Sequence, residues 1–454
     1  MTAPTKNRLL SATLLSAVLL TPPLLAVFYA GSALFGLPFP PFVLFEWLVR
    51  VLPGSLLTAG IEGLTAALPA LGLSVSESAK AVEQGLAVIV CAIALLIAAV
   101  VWARVAPPGW RAGLVLGAVA GLPLALLDLL ASGTPAGAAW VAALFLGWGV
   151  LAAWAGQRIV KPAHDAEVAV DPADRRRFLV RLGGAAAAVT VAGAGLGRVL
   201  SREDSEPRSV SVWLPERSVE PVPGTRPEYT LPEDHYYIDI NMLPPSIDGE
   251  AWRLGVEGLV ENPRTLTLAD FYEERFGEPR DEIITLSCIS NRVGGPLIGT
   301  TRWTGVPLRR ILVDAGVQSE ARTVRISSAD NYYEVLPLDL VMSDERIMLT
   351  YHWDGRPLNV GHGFPLRIFV PNRYGMKQPK WIVRIELTAD EDDPGYWGKR
   401  GWEPEAEVKA TSVIDTVAVD SRYERGGQTL VPVGGIAYAG DRGISAVQVR
   451  VDGG

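Results

Sequence analysis

One thiol in this chain stands where chemistry could happen. The run Ile283-Ile284-Thr285-Leu286-Ser287-Cys288-Ile289-Ser290-Asn291-Arg292-Val293-Gly294-Gly295 is β-branched and apolar up to the cysteine, turns polar at Asn291 and Arg292, and ends in two glycines. It reads as a strand delivering Cys288 to a loop where backbone can approach another group closely. The second of the two cysteines, Cys91, lies inside an apolar stretch far upstream. Cys288 therefore has no disulfide partner in its own region; it is either a small buried hydrophobe or a residue that does chemistry. Taken alone, the first reading is the commoner one.

Its neighbours shift that balance. Cys288 through Gly299 continues into Arg302-Trp303-Thr304-Gly305-Val306-Pro307-Leu308. A second segment runs Gly361-His362-Gly363-Phe364-Pro365-Leu366-Arg367, then Val370-Pro371-Asn372-Arg373-Tyr374-Gly375-Met376-Lys377-Gln378-Pro379-Lys380-Trp381. In order and spacing, both resemble the molybdenum-cofactor domain of the sulfite oxidase family, over about half the chain, from Pro227 to Gly454.

That resemblance implies a metal-ligating role for Cys288 as thiolate, beside two sulfurs from the molybdopterin dithiolene. The pterin ends in a phosphate, which calls for cations or N–H donors. The resemblance offers His362, Arg367, Lys377 and Lys380 for that, with Asn291 and Arg292 as pterin or supporting contacts, and places His235 and Tyr236 in an aromatic segment whose edges touch the pterin. Tyr332 or Tyr333 is a candidate for the tyrosine near the metal. Where sulfite-oxidising members carry a further arginine after the Asn-Arg pair, this chain has Val293. Arg292, Arg302 or Arg373 would then have to hold an anionic substrate, and sulfite itself is put in question.

The elements that must position these residues are those of a mixed α+β domain. Trp252–Gly258, Val324–Ser327 and Tyr333–Leu336 alternate as strands. Thr267–Phe276 predicts a helix capped by Thr267 with Asp270 three residues on, and Thr304–Gly316 one that starts at Pro307 and stops at a glycine. From Glu405 the alternation of Gly434–Ile444 and Val447–Asp452 resembles the opening of the family's immunoglobulin-like dimerisation domain. Such a sandwich needs about 100 residues, so a fragment or a vestigial domain is expected, and a homodimer is a candidate assembly.

The front of the chain is different in kind. Of 41 Lys/Arg and 49 Asp/Glu in 454 residues, only seven and five lie up to Val160. Leu9–Ala30, Leu86–Arg104, Ala112–Leu130 and Ala138–Ala155 are apolar and near the roughly 20 residues that cross a bilayer, and Phe178–Leu200 adds a fifth. Phe35–Ala70 is apolar but broken by prolines, so it gives two short crossings or helices lying at the interface. Basic residues at Lys6/Arg8, Arg104–Arg111 and Arg158–Arg177 belong inside, which puts the following domain outside. Arg175-Arg176-Arg177-Phe178-Leu179 resembles a twin-arginine export signal, a route for folded proteins, with Asp174 where Ser/Thr is usual; a plain positive-inside flank reads the same way. The apolar part holds no histidine, so no haem is expected there. The acidic remainder argues against nucleic-acid binding, which wants a basic face.

The predicted organisation is therefore a transmembrane helical domain (1–160), a cytoplasmic linker and last crossing (161–200), a linker (201–226), an α+β molybdopterin domain (227–404) and the start of an all-β module (405–454). The predicted function is oxygen-atom transfer on a small molecule, sulfite oxidation or sulfoxide reduction, with electrons exchanged with a separate carrier and with membrane lipid as a partner. A non-catalytic membrane protein that uses the family domain for binding or assembly is the alternative. A transporter would need more charged residues in the helices than these carry.

Overall fold

A computed structural model describes residues 3–71, 75–105, 109–160, 172–200 and 220–452. His164 and residues 201–219 of the expected linker lie outside them. Seven helices lead the chain: α1 (Ala3–Phe35), α2 (Pro40–Val51), α3 (Gly54–Ala70), α4 (Val75–Val105), α5 (Trp110–Ser132), α6 (Pro135–Val160) and α7 (Pro172–Leu200). The chain divides into two compact units: residues 1–51 with 80–209, and residues 52–79 with 210–454. The segment around α3 thus groups with the C-terminal part.

In the first unit α1, α4, α5, α6 and α7 are long and apolar enough to cross a membrane; α2, at 12 residues, is too short to span one. Helices α5 and α6 pack backbone to backbone. A Cβ added at Gly117 would lie 2.4 Å from the Phe145 carbonyl oxygen, so only glycine admits this approach, the small-residue packing that membrane helices use. Phe28 of α1 is fully buried against Trp140 and Phe145 of α6.

The second unit is α+β. Its first sheet orders β2 (Arg264–Leu266), β1 (Leu254–Gly258), β10 (Ile382–Thr388), β5 (Thr323–Ser328) and β6 (Tyr333–Pro337), antiparallel except for the parallel β1–β10 pair. Helices α8 (Leu268–Tyr272), α9 (Leu308–Ala315), α10 (Leu338–Ser343) and α11 (Gly395–Gly398) accompany it. Leu254, Val256, Phe271, Ile311, Leu312, Ile326 and Ile385 interlock between sheet and helices as the main core. The second sheet runs β3 (Arg280–Ser287), β4 (Ile298–Pro307), β7 (Met348–Trp353) and β8 (Arg356–Pro357), with β9 (Arg367–Phe369) also on β7. Ile284, Leu286, Trp303, Met348, Trp353 and Leu358 form a smaller core against this sheet.

The strands expected at Trp252–Gly258, Val324–Ser327 and Tyr333–Leu336 form as Leu254–Gly258, Thr323–Ser328 and Tyr333–Pro337; two helices differ. α8 stops after Tyr272 because Glu274 and Gly277 take positive φ, 55° and 85°, although Thr267 N–H does donate to Asp270 Oδ2 at 2.7 Å. α9 begins only at Leu308: Thr304–Pro307 continue β4, held by β3 and β7 on either side. At the C-terminal end β11 (Thr411–Val417) pairs with β14 (Val433–Tyr438), and β12 (Tyr423–Arg425) with β13 (Gln428–Leu430). Val447–Asp452, expected as a strand, forms none; Val447, Val449 and Val451 are exposed, and a strand without a partner is not stable alone.

Candidate functional site

The loop after β3 is closed by its own backbone. Cys288 N–H donates to the Leu297 carbonyl (2.9 Å), Asn291 N–H to the Cys288 carbonyl (3.0 Å) and Gly295 N–H to the Arg292 carbonyl (2.7 Å). Asn291 Oδ1 accepts from Leu297 N–H at 2.9 Å, so Asn291 braces the loop from within. Gly294 has φ 78°, a turn conformation that glycine takes without strain. Cys288 is a half-buried free thiol. Burial pushes it up, while the Ser290 N–H and hydroxyl pull the other way by bonding the thiolate. Tyr236 stands beside it: a Cβ added at Gly375 would lie 3.2 Å from the Tyr236 hydroxyl and 3.6 Å from the Ser287 carbonyl oxygen.

A second group of side chains gathers behind this loop. His235 stacks on Tyr236 (5.1 Å between centroids) and meets Trp303, Trp353 and His362 at 5.6–6.2 Å. The His362 ring nitrogens lie 2.9 Å from Asn359 Oδ1 and 3.2 Å from the Tyr236 carbonyl oxygen. Burial drives both histidines towards the neutral form, His235 to about 4 and His362 well below its ordinary value.

Into this aromatic wall project two cations. Arg367, on β9, is 6% exposed; its guanidinium lies 5.0 Å from the Trp303 centroid and donates to the His362 carbonyl at 3.1 Å. No ion pair to a carboxylate is made by Arg367 among the described residues. Half-buried Lys380 donates through Nζ to the Gly361 carbonyl at 3.0 Å, sits over the Tyr237 and Trp381 rings, and pairs with Asp239 at 3.5 Å, with the Asp330 carboxylate also acting on it. Trp381 holds this corner at φ 53° with its Nε1–H on the Val360 carbonyl, 2.7 Å. Burial lowers Arg367 to about 10 and Lys380 to about 8, the latter aided by Arg367 itself and opposed by Asp239. A buried guanidinium with no carboxylate beside it is costly unless an anion joins it.

Sequence reasoning missed Asp330. It is buried beside this corner, bonded by Asn241 Nδ2 (2.8 Å) and by Tyr332 N–H (3.0 Å), and burial pushes its carboxyl up to about 6. No local signal marks it: a single Asp before Asn331 reads as an ordinary turn.

Three residues expected at the site are engaged elsewhere. Lys377 Nζ is 2.5 Å from Glu334 Oε2 and also donates to the Val335 carbonyl; both ends of the pair are buried. The Tyr332 hydroxyl is held by the same Glu334 at 2.9 Å and by the Met376 carbonyl. Arg373 pairs with Glu407 at 2.7 Å and Glu405 at 3.4 Å. Arg292 is exposed beside the Cys288 loop and donates to the Glu62 carbonyl at 3.2 Å.

The donor chemistry suits molybdopterin. No cluster of three His, Cys, Asp or Glu side chains able to hold a metal occurs among the described residues, so the protein brings one soft sulfur, as a metal carried by an organic dithiolene requires. Arg367, which makes no ion pair among the described residues, lacks the negative charge that a phosphate would supply. The buried Trp303 Nε1–H has no acceptor among the described residues and is a donor left over for a ligand.

Comparison with known proteins agrees. Residues 241–397 match the family described as "Oxidoreductase molybdopterin binding domain". Human mitochondrial sulfite oxidase is 30% identical over 277 residues, 52% of this chain and 50% of that protein. The Bacillus subtilis "Uncharacterized oxidoreductase YuiH" is 34% identical over 155 residues, 34% of this chain and 74% of that one. The Azospira oryzae "Putative protein-methionine-sulfoxide reductase subunit YedZ1" is 29% identical over 198 residues, 43% of this chain and 68% of its own. The chain spans about half the length of the human relative.

Proposed function

Because the chain belongs to the sulfite oxidase family of molybdopterin oxidoreductases, we propose that it is a membrane-anchored enzyme whose C-terminal unit works outside the cytoplasm, transferring an oxygen atom to or from a small substrate and exchanging two electrons with a separate carrier. When bound, molybdopterin supplies a two-electron metal centre that gives or takes an oxygen atom. Cys288 would hold the metal as thiolate, with the Ser290 donors favouring that form. Arg367 and Lys380 would neutralise the phosphate, and the His235–Tyr236–His362 wall would set the pterin's orientation. The observation that carries this reading is the buried Arg367 guanidinium without a carboxylate partner among the described residues, beside the half-buried Lys380 and behind a free thiol.

Two balanced reactions fit: sulfite with water to sulfate, releasing two electrons and two protons, or a sulfoxide with two electrons and two protons to a sulfide and water. Similarity to a protein named as a methionine-sulfoxide reductase subunit supports the second. Five candidate spans with basic residues at Lys6/Arg8, Arg104/Arg111 and Arg158/Arg177 support the outside location. The test is turnover of purified, molybdenum-loaded protein with sulfite and a dye acceptor, and with sulfoxides and a reduced viologen donor. Turnover in one direction is expected; silence in both from loaded protein would overturn the catalytic reading.

A further inference from the structure

A pocket opens against the Cys288 loop, and its far wall comes from the C-terminal strands. Ser287, Asn291 and Arg292 through Gly295 line one side; Val408, Lys409, Val413 and Ile436 line the other, with Tyr374 and Tyr438 between. Val413 and Ile436 are register partners on β11 and β14, so their side chains form one apolar patch. That patch reaches the loop: a Cβ added at Gly294 would lie 3.5 Å from Val413 Cγ1. The Tyr438 hydroxyl donates to the Thr285 carbonyl at 3.0 Å, fixing β14 to β3.

The cations around the pocket are not equivalent. Arg226 is spent: it pairs with Asp415 at 2.6 Å and donates to the Gly294 and Gly295 carbonyls. Arg292, on the loop side, donates to the Glu62 carbonyl at 3.2 Å; Lys409, across from it, is exposed and held by its backbone, its N–H donating to the Tyr374 hydroxyl at 3.2 Å, while its ammonium makes no ion pair among the described residues. The pocket therefore offers an available positive charge beside an apolar patch. A bare inorganic oxyanion would use only the first.

We propose that Lys409 and Val413 determine substrate specificity: the pocket takes an organic anion, its small apolar group on the Val413–Ile436 patch and its negative group at Lys409. This rests on the reading of Cys288 as the metal-holding thiol. The proposal concerns binding, and it is tested with ligands that cannot react.

Calorimetric titration of molybdenum-loaded protein with sulfate, methanesulfonate and propane-1-sulfonate separates the two features. Each buried methylene contributes about fourfold in affinity, so propane-1-sulfonate should bind at least about tenfold tighter than sulfate. Lys409→Gln should weaken all the ligands about tenfold, and Lys409→Arg should restore them. Val413→Asn should abolish only the gain with chain length. Sulfate binding as tightly as propane-1-sulfonate, indifference to Lys409→Gln, or no binding by loaded protein would overturn the proposal. Molybdenum content of the same samples keeps the two readings apart: a wild-type chain that takes up no metal refutes the role of Cys288, whereas a loaded chain blind to chain length refutes only the specificity.

Discussion

The Arg367 guanidinium lies over the Trp303 ring, 5.0 Å from its centroid, and is 6% exposed without a carboxylate partner among the described residues. A fold does not keep a buried cation in this state for stability: replacing it with an apolar side chain is neutral or stabilising in the absence of a ligand. Arg367→Met should leave the cofactor-free protein as stable as wild type or up to about 2 kcal/mol more stable, while molybdenum retention falls at least tenfold. Denaturant unfolding and metal analysis of the same samples check both halves; a clear loss of apo stability would show that Arg367 serves the fold instead.

Lys380 sets a pH window. Its folded-state value is about 8, against an ordinary 10.5. Between those values the unfolded chain holds the proton and the cofactor-free fold does not, so apo stability should rise with pH across that range. A phosphate beside Lys380 restores its charge, so above about pH 8 cofactor binding takes up a proton and affinity should fall as pH rises. Lys380→Met should flatten both trends, read by thermal melts and by cofactor release from pH 7 to 10. Identical pH profiles in wild type and variant would remove Lys380 from the anion site.

Lys377 and Lys380 looked alike in the sequence, two lysines in one glycine- and aromatic-flanked segment. Their surroundings differ. Lys377 and Glu334 form a buried pair at 2.5 Å, and breaking such a pair from one side costs about 3–5 kcal/mol. Glu334→Gln should destabilise by that order, and adding Lys377→Met should recover much of it. The double variant should keep its molybdenum, unlike Lys380→Met. Metal loss from the folded double variant would return Lys377 to the cofactor.

Much of this was legible because local chemistry carried it. The β-branched, apolar run before Cys288 predicts β3, and the polar pair and glycines after it predict the loop, since both depend on neighbours in sequence. The order of two motifs groups His362, Arg367 and Lys380, and the structure brings them together. The rest depends on what long-range packing brings together. Nothing near Lys377 announces Glu334, 43 residues away, and Arg373 meets Glu407 only because residues 405–408 return beside it. Asp330 becomes unusual through burial alone. Lys409 and Val413 sit in a stretch without a motif of its own; the Lys409 N–H on the Tyr374 hydroxyl and the β11–β14 pairing of Val413 set them against the Cys288 loop.

The measurement that bears most directly on the whole account is the molybdenum absorption edge of the protein from a cofactor-competent host, wild type beside Cys288→Ser. The account predicts stoichiometric molybdenum in the wild type and one sulfur fewer in the metal's shell in the variant, with the pterin still bound through Arg367 and Lys380. Folded wild-type protein without molybdenum, or a sulfur shell that Cys288→Ser leaves unchanged, would contradict it.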